Sequence, residues 1–213
     1  EGTTPMVKFE NCVNYGKVTG QLSGGILAQN YCSHFDLVLN ECTNNGQING
    51  VSNQNSWNGT TAKVSSDTYN NVYAGGLVGR SDGNPKSVVV EKCVNNGLIT
   101  LTNTYSTANA QTNKKYFFAS GLIASNFSST HDFNTKVTMK DCESNGQFSY
   151  DVTYANSVCL TPIFGDYYVL STETVKFTKK SLVEGSVNNT TKFDETKINA
   201  KGLFSQQTLV ITK

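Results

Sequence analysis

The chain has 213 residues, 37% of them hydrophobic and only 15% charged, and its 17 basic and 16 acidic side chains leave a net charge of +1. That length fits a single domain, and so little charge argues against a disordered tail held open by repulsion. The only basic doublets, Lys114-Lys115 and Lys179-Lys180, give no positive stripe to track a phosphate backbone, so nucleic acid is not expected as a partner.

No apolar run reaches the ~20 residues that span a bilayer. The best, Phe117 to Ala124, is interrupted by Ser120 and Gly121. Eighteen Gly, ten Tyr and eleven Phe, with few strong helix formers and no sustained three-and-four spacing, point to an all-β chain. It opens on Glu1 and not on Met, as a mature or excised segment of a longer protein or array would.

In chain order, the first element is the alternation Val7/Phe9, which runs into Cys12-Val13-Asn14-Tyr15-Gly16 and then Val18. Gly24-Gly25-Ile26-Leu27-Ala28 follows. The set then returns: Leu37/Leu39 precede Cys42-Thr43-Asn44-Asn45-Gly46, with Ile48 and later Gly75-Gly76-Leu77-Val78-Gly79. Val88/Val90 precede Cys93-Val94-Asn95-Asn96-Gly97, with Ile99 and Ser120-Gly121-Leu122-Ile123-Ala124. Val137/Met139 precede Cys142-Glu143-Ser144-Asn145-Gly146, with Phe148 and the variant Thr161-Pro162-Ile163-Phe164-Gly165. A degenerate fifth copy reads Val175/Phe177, Ser181 in the Cys position, Gly185 and Val187, then Lys201-Gly202-Leu203-Phe204-Ser205.

The spacings discriminate between architectures. From Gly25 to Cys42 and from Gly76 to Cys93 the step is 17 residues, and from Gly121 to Cys142 it is 21. From each Cys forward to the glycine pair it is 13 (Cys12 to Gly25), 34 (Cys42 to Gly76) and 28 (Cys93 to Gly121). Insertions that leave one corner while the rest keeps its length describe a stacked repeat. The expectation is one domain over 1–213, a right-handed parallel β-helix of about five irregular coils with three short strands each and loop insertions on one edge. The Asn two residues after Cys should stack into an amide ladder, and the Gly four after Cys should take a positive φ at the corner.

The G-G-L/I-V-G string, best matched by Gly75 to Gly79, resembles the GLUG-type repeats of large secreted and cell-surface proteins. The C-x-N-x-G element looks like that of repeat-rich surface proteins of bacteria and protists. The resemblance covers most of the chain, and implies an extracellular or cell-surface adhesin or structural protein.

Chemistry-bearing residues are few. Cys12, Cys42, Cys93 and Cys142 share one repeat position and should form a column of buried thiols, because Cβ atoms ~4.8 Å apart exceed the ~3.8 Å a disulfide prefers. A disulfide framework remains the alternative for six cysteines, and Cys32 and Cys159 have no assignable partner. With no C-x-x-C pair, no metal and no cofactor is expected. Gly79-Arg80-Ser81-Asp82-Gly83 matches G-x-S-x-G, but no helix is expected after it, so it reads as a turn between strands. His34 and His131 read as loop residues. The Thr-x-Thr pairs at Thr100 and Thr172 occupy different repeat positions and build no ice-ordering ladder.

Clustered carboxylates of a polysaccharide lyase or glycoside hydrolase are not visible, although that remains the alternative for this architecture. The expected function is therefore non-catalytic: a structural or adhesive module. The two longest insertions, Val51–Val72 and Thr102–Tyr116, should lie side by side as a recognition edge carrying Trp57, Tyr69, Tyr105 and Tyr116. Its partner would be a glycan, a host or matrix protein, or another copy stacked head to tail or laterally. The strands at the two ends, Val7–Phe9 and Leu209–Ile211, favour head-to-tail stacking or continuation into further domains. Sequons at Asn58, Asn126, Asn188 and Asn189 are candidate glycosylation sites, with Asn58 and Asn126 expected in loops.

Overall fold

The computed structural model describes residues 5–31, 35–52, 72–82, 87–103, 116–127, 136–151, 157–161, 164–165, 187–189 and 204–205. All the regular structure among them is β, with no helix. The chain passes repeatedly through five sheets in the same order. The first passage is β1 (Met6–Glu10), β2 (Val13–Asn14), β3 (Val18–Gly20), β4 (Leu22–Gly24) and β5 (Leu27–Tyr31). The second is β6 (Asp36–Asn40), β7 (Thr43–Asn44), β8 (Ile48–Ser52), β9 (Val72–Gly75) and β10 (Val78–Asp82). The third is β11 (Ser87–Glu91), β12 (Val94–Asn95), β13 (Ile99–Asn103), β14 (Tyr116–Ser120) and β15 (Ile123–Phe127). The fourth is β16 (Lys136–Lys140), β17 (Cys142–Ser144), β18 (Phe148–Asp151), β19 (Ser157–Thr161) and β20 (Phe164–Gly165). Of a fifth, β21 (Val187–Asn189) and β22 (Phe204–Ser205) are described.

Each passage forms one rung, and equivalent strands of successive rungs pair in parallel: β1-β6-β11-β16, β2-β7-β12-β17-β21, β3-β8-β13-β18, β4-β9-β14-β19 and β5-β10-β15-β20-β22. A rung therefore has five short strands where the sequence pattern indicates three. The second strand of a rung has only two or three residues, and the fourth, where it is longer, is buried on both faces, as in Val72–Gly75, so neither shows an alternation of its own.

Period-two alternation places the core. Leu37 and Leu39 of β6, Val88 and Val90 of β11, and Met139 of β16 point inward and pack with Cys42, Cys93, Cys142, Leu77, Val78, Leu122 and Ile123. A second cluster of Ile48, Ile99, Leu101, Val72, Ala74, Phe117, Ala119 and Leu160 fills the space between the β8 and β9 sheets. The rows tighten in register: Gly20, Gly50, Leu101 and Tyr150 occupy one row, and a Cβ on Gly50 would come within 2.8 Å of both Leu101 and Val72.

The corner geometry corrects the expectation for the motif glycine. Positive φ falls on the residue before each Cys, namely Asn11 (53°), Glu41 (55°), Lys92 (49°) and Asp141 (52°), all exposed. Each takes the left-handed conformation at the bend between the first and second strands of its rung, at roughly 1–2 kcal/mol for a non-glycine residue. Backbone bonds to the next rung hold the bend, Glu41 N–H to the Glu91 carbonyl at 3.0 Å and Lys92 N–H to the Lys140 carbonyl at 2.9 Å.

The motif glycine is needed for a different reason, which is room. A Cβ on Gly46 would run into the carbonyl oxygen of Gly16, one on Gly97 into that of Gly46, and one on Gly146 into that of Gly97.

The fifth copy is also shifted. Val187 pairs with Cys142 and Asn189 with Ser144, so Val187, and not Ser181, holds the Cys position. Val187-Asn188-Asn189 keeps the Asn two residues on, and that register outweighs the match of Ser for Cys.

Candidate functional site

The insertions 53–71 and 104–115 leave between the third and fourth strands of their rungs. Asn103 pairs with Ser52 where the chain departs, and Phe117 pairs with Val72 where it returns. The two longest insertions are thus anchored on adjacent strands at both ends. Trp57, Asn58, Tyr69 and Tyr105 lie outside the described residues, as do His34, His131 and Cys32. Tyr116 opens β14, opposite Ser157 of β19. A second variable corner, between the last strand of one rung and the first of the next, lengthens from 32–35 to 128–135 and accounts for the 21-residue step.

Inside the second-strand corner stands an amide ladder. Asn14 Nδ2 donates to Asn44 Oδ1 at 2.7 Å, and Asn44 Nδ2 donates to Asn95 Oδ1 at 2.8 Å. Each amide also closes on its own motif glycine. The Gly46 N–H donates to Asn44 Oδ1 at 3.2 Å, and Asn44 Nδ2 donates to the Gly46 carbonyl at 3.0 Å. Asn44 therefore uses both donors and both acceptor positions of its side chain while fully buried. In the fourth rung a buried Ser144 stands in the row. The glycine pairs pack on this ladder from across the interior: a Cβ on Gly25 would lie 2.7 Å from Asn44 Oδ1, and one on Gly76 2.5 Å from Asn95 Cγ. The two sequence motifs are the two sides of one contact. A parallel ladder on the solvent side links Asn96 Nδ2 to Asn45 Oδ1 at 2.9 Å and Asn145 Nδ2 to Asn96 Oδ1 at 3.1 Å.

Beside the amides run the thiols. Cys42, Cys93 and Cys142 are buried and Cys12 is half-buried, all four unbridged. The Cys42 backbone N–H donates to Cys93 Sγ at 3.4 Å, and the Cys93 thiol donates to the Glu91 carbonyl at 3.1 Å. Cys159 lies on β19 opposite Phe118.

Burial pushes the Cys93 thiol up to about 12 and also raises those of Cys42 and Cys142. The folded chain then holds these protons more tightly than the unfolded chain, whose thiols ionise near ~8.5. The stabilisation is complete below that value and is lost as pH rises toward about 12. The melting temperature of Cys93→Ala is expected to fall less over that interval than that of the parent chain. Parallel curves would mean that the thiol does not ionise with unfolding.

Ser81 of the G-x-S-x-G string is a strand residue of β10, not a turn residue. It is fully buried and accepts a bond from Asn30 Nδ2 at 3.4 Å, a packed position closed to substrate. Asn126 is likewise on a strand, β15, and not in a loop. It pairs with Ser81 in the row of Asn30. Asn188 and Asn189 lie on β21. Thr100 stands in a mixed row with Thr19, Asn49 and Ser149, its hydroxyl donating to Asn49 Oδ1 at 2.7 Å.

Comparison with family models, with curated proteins and with solved structures finds no match.

Among the described residues no group of three His, Cys, Asp or Glu side chains is placed to hold a metal ion. Sequence reasoning missed one feature, a cluster on the far side of the fourth-strand sheet. The rings of Tyr73 and Phe118 stack at 5.0 Å, Leu22 and Ala124 pack against them, and the Arg80 guanidinium lies 5.1 Å from the Tyr73 centroid. Tyr73 and Phe118 pair in register one residue off the inward alternation, which is the signal that places them on this face. Leu22, Tyr73 and Phe118 lie on fourth strands, and Arg80 and Ala124 on the fifth strands that follow.

Proposed function

We propose that the chain is a right-handed parallel β-helix serving as a non-catalytic structural or adhesive module of a secreted or cell-surface protein. The right hand is that of nearly all crossovers between parallel strands. The observation that carries the reading is the use of side chains: through successive rungs the interior positions are filled by apolar, thiol and amide ladders that satisfy one another. Such a core supplies stiffness along the stacking direction. The GLUG-type resemblance of Gly75 to Gly79 supports the extracellular setting. The edge bearing Trp57, Tyr69, Tyr105 and Tyr116 is the recognition surface in this reading, for a glycan or a host or matrix protein.

A screen of pectic, alginate and glycosaminoglycan substrates, with and without calcium, tests the non-catalytic assignment. No release of unsaturated or reducing ends is expected. Reproducible release would replace this reading by a polysaccharide lyase or glycoside hydrolase.

A further inference from the structure

Five Asn-Gly sequences occur in the chain, at Asn45, Asn49, Asn58, Asn96 and Asn145. Asn49 lies on β8, and Asn58 lies outside the described residues. The other three, Asn45-Gly46, Asn96-Gly97 and Asn145-Gly146, end the Cys motifs of successive rungs, so the repeat sets them at one corner. Their asparagines form the exposed ladder and their glycines are buried.

Such a pair carries its own chemistry. The glycine nitrogen attacks Cγ of the preceding side chain as its proton passes to base, a five-membered succinimide closes, and the side-chain nitrogen leaves as ammonia. Water then opens the ring at either carbonyl, giving aspartate or an isoaspartate whose main chain runs through Cβ and Cγ. One water is consumed and one ammonia released, so no other reactant is needed. Glycine favours the step because it has no Cβ to crowd the attack or restrict the backbone.

The stacked rungs hold both reacting groups. The Gly46 N–H donates to the Asn14 carbonyl at 3.1 Å and to Asn44 Oδ1 at 3.2 Å, the Gly97 N–H to Asn95 Oδ1 at 3.2 Å, and the Gly146 N–H to the Asn95 carbonyl at 3.0 Å. A nitrogen stripped of its proton there would face those oxygens with no bond to offer them. The peptide cannot turn toward the side chain either. The N–H groups of Asn45, Asn96 and Asn145 donate to the carbonyls of Asn14, Asn44 and Asn95 at 2.7–2.8 Å, and the Asn44 and Asn95 amides hold the Gly46 and Gly97 carbonyls at 3.0 and 3.4 Å. The side-chain amides point outward: Asn96 Nδ2 donates to Asn45 Oδ1, and Asn145 Nδ2 to Asn96 Oδ1 and Glu143 Oε2.

The same corner cannot accept the product. Isoaspartate adds one main-chain atom immediately before the glycine. A Cβ on Gly46, Gly97 or Gly146 already collides with the carbonyl of the preceding rung, so there is no room for that atom.

We propose that Asn45, Asn96 and Asn145 are deamidation sites kept closed by the stacked rungs, so that unfolding opens them and isoaspartate then bars refolding. Unfolding becomes irreversible by a chemical step, and the working life of the module is set by how often its rungs open. The proposal rests on the rungs and not on the partner that the module binds.

The experiment incubates the unglycosylated chain in mildly alkaline buffer with a thiol reductant, folded in one arm and in guanidinium in the other. Peptide mass mapping follows each Asn-Gly pair, and circular dichroism after dilution gives the fraction refolded. At the three corner sites the folded chain is expected to react at about a hundredth of the unfolded rate or less, because reaction waits on a rare opening. The refolded fraction of the guanidinium arm is expected to fall as isoaspartate accumulates at these sites. Asn45→Gln/Asn96→Gln/Asn145→Gln keeps an amide at each ladder position but would need a six-membered ring, and is expected to refold after the same incubation. If that variant does not fold at the outset, the parent decides, with isoaspartate at the three sites concentrated in the molecules that fail to refold.

Equal rates in the two arms, with a β spectrum in the folded one, would overturn the protection. A parent that refolds fully with isoaspartate at these sites, or a triple variant that loses refolding as fast as the parent, would overturn the block. A chain without a β spectrum before denaturant is added overturns the stacked rungs themselves, and the proposal with them.

Discussion

Replacing Gly97 by Ala is expected to lower stability by about 3 kcal/mol or more, a fall in melting temperature of about 6–12 °C for a chain of this size. The same substitution at Gly16 is expected to be neutral or to raise stability by ~0.5 kcal/mol. Both glycines close a C-x-N-x-G element, so propensity alone would treat them alike. What separates them is the neighbour. A Cβ on Gly97 would collide with the Gly46 carbonyl and approach Asn44 Nδ2 to 2.5 Å. Neither group can yield cheaply, because one is backbone and the other is held by two ladder bonds. Thermal unfolding of the two variants beside the parent chain, at a concentration that keeps all three monomeric, checks the pair. Equal effects at Gly16 and Gly97 would mean that the glycines serve local conformation and not the approach of rungs.

The repeat was legible in the sequence because its buried positions accept few residue types, Ser144 in the Asn row and Val187 in the Cys row being the exceptions. Asn two after Cys, and Gly two after that, mark a buried amide and the space its neighbours need. Parallel pairing of equivalent strands follows from stacking like on like. The number of strands per rung was not legible, since Val13–Asn14 is too short to alternate and Val72–Gly75 is buried on both faces. Nor was the left-handed corner, because Asn11, Glu41, Lys92 and Asp141 have no residue type in common. Their requirement is a side chain that points to solvent, which many types meet. Two of them are linked across rungs by Lys92 Nζ and Glu41 Oε1 at 3.0 Å, an exposed pair that adds little. The fifth copy misled because one sequence match, Ser181 for Cys, competed with an Asn-preserving register that only pairing with β17 reveals. The recognition edge stands between these cases: the anchors of its loops follow from the register, while Trp57, Tyr69 and Tyr105 lie beyond the described residues.

Two neighbouring asparagines offer the strongest contrast of all. Asn44→Ala is expected to destabilise the chain by about 3–5 kcal/mol, and Asn45→Ala by less than about 0.5 kcal/mol. Asn45 belongs to the exposed ladder, where water replaces the bond it accepts from Asn96. Asn44 is fully buried, and its removal takes bonds from groups packed around it. Asn95 Oδ1 loses a donor, Asn14 Nδ2 loses an acceptor, and Gly46 loses a partner for both its N–H and its carbonyl. Asn95 Oδ1 keeps the Gly97 N–H, Asn14 Nδ2 the Gly16 carbonyl and the Gly46 N–H the Asn14 carbonyl, so each of these loses one bond of about 1 kcal/mol, while a buried group left unpaired costs about 1–3 kcal/mol and the vacated volume beside Gly25 adds to it. The ladder also predicts how the losses combine. In Asn44→Ala the Asn95 Oδ1 atom has already lost its donor from the neighbouring rung and keeps only the Gly97 N–H, so removing it in Asn44→Ala/Asn95→Ala relieves part of the first penalty. The double variant is then less destabilised than the sum of the two single ones, by about 1 kcal/mol. Denaturant unfolding of the four chains measures this coupling. Strict additivity would mean that each amide serves only its own glycine and that the bonds between rungs contribute nothing.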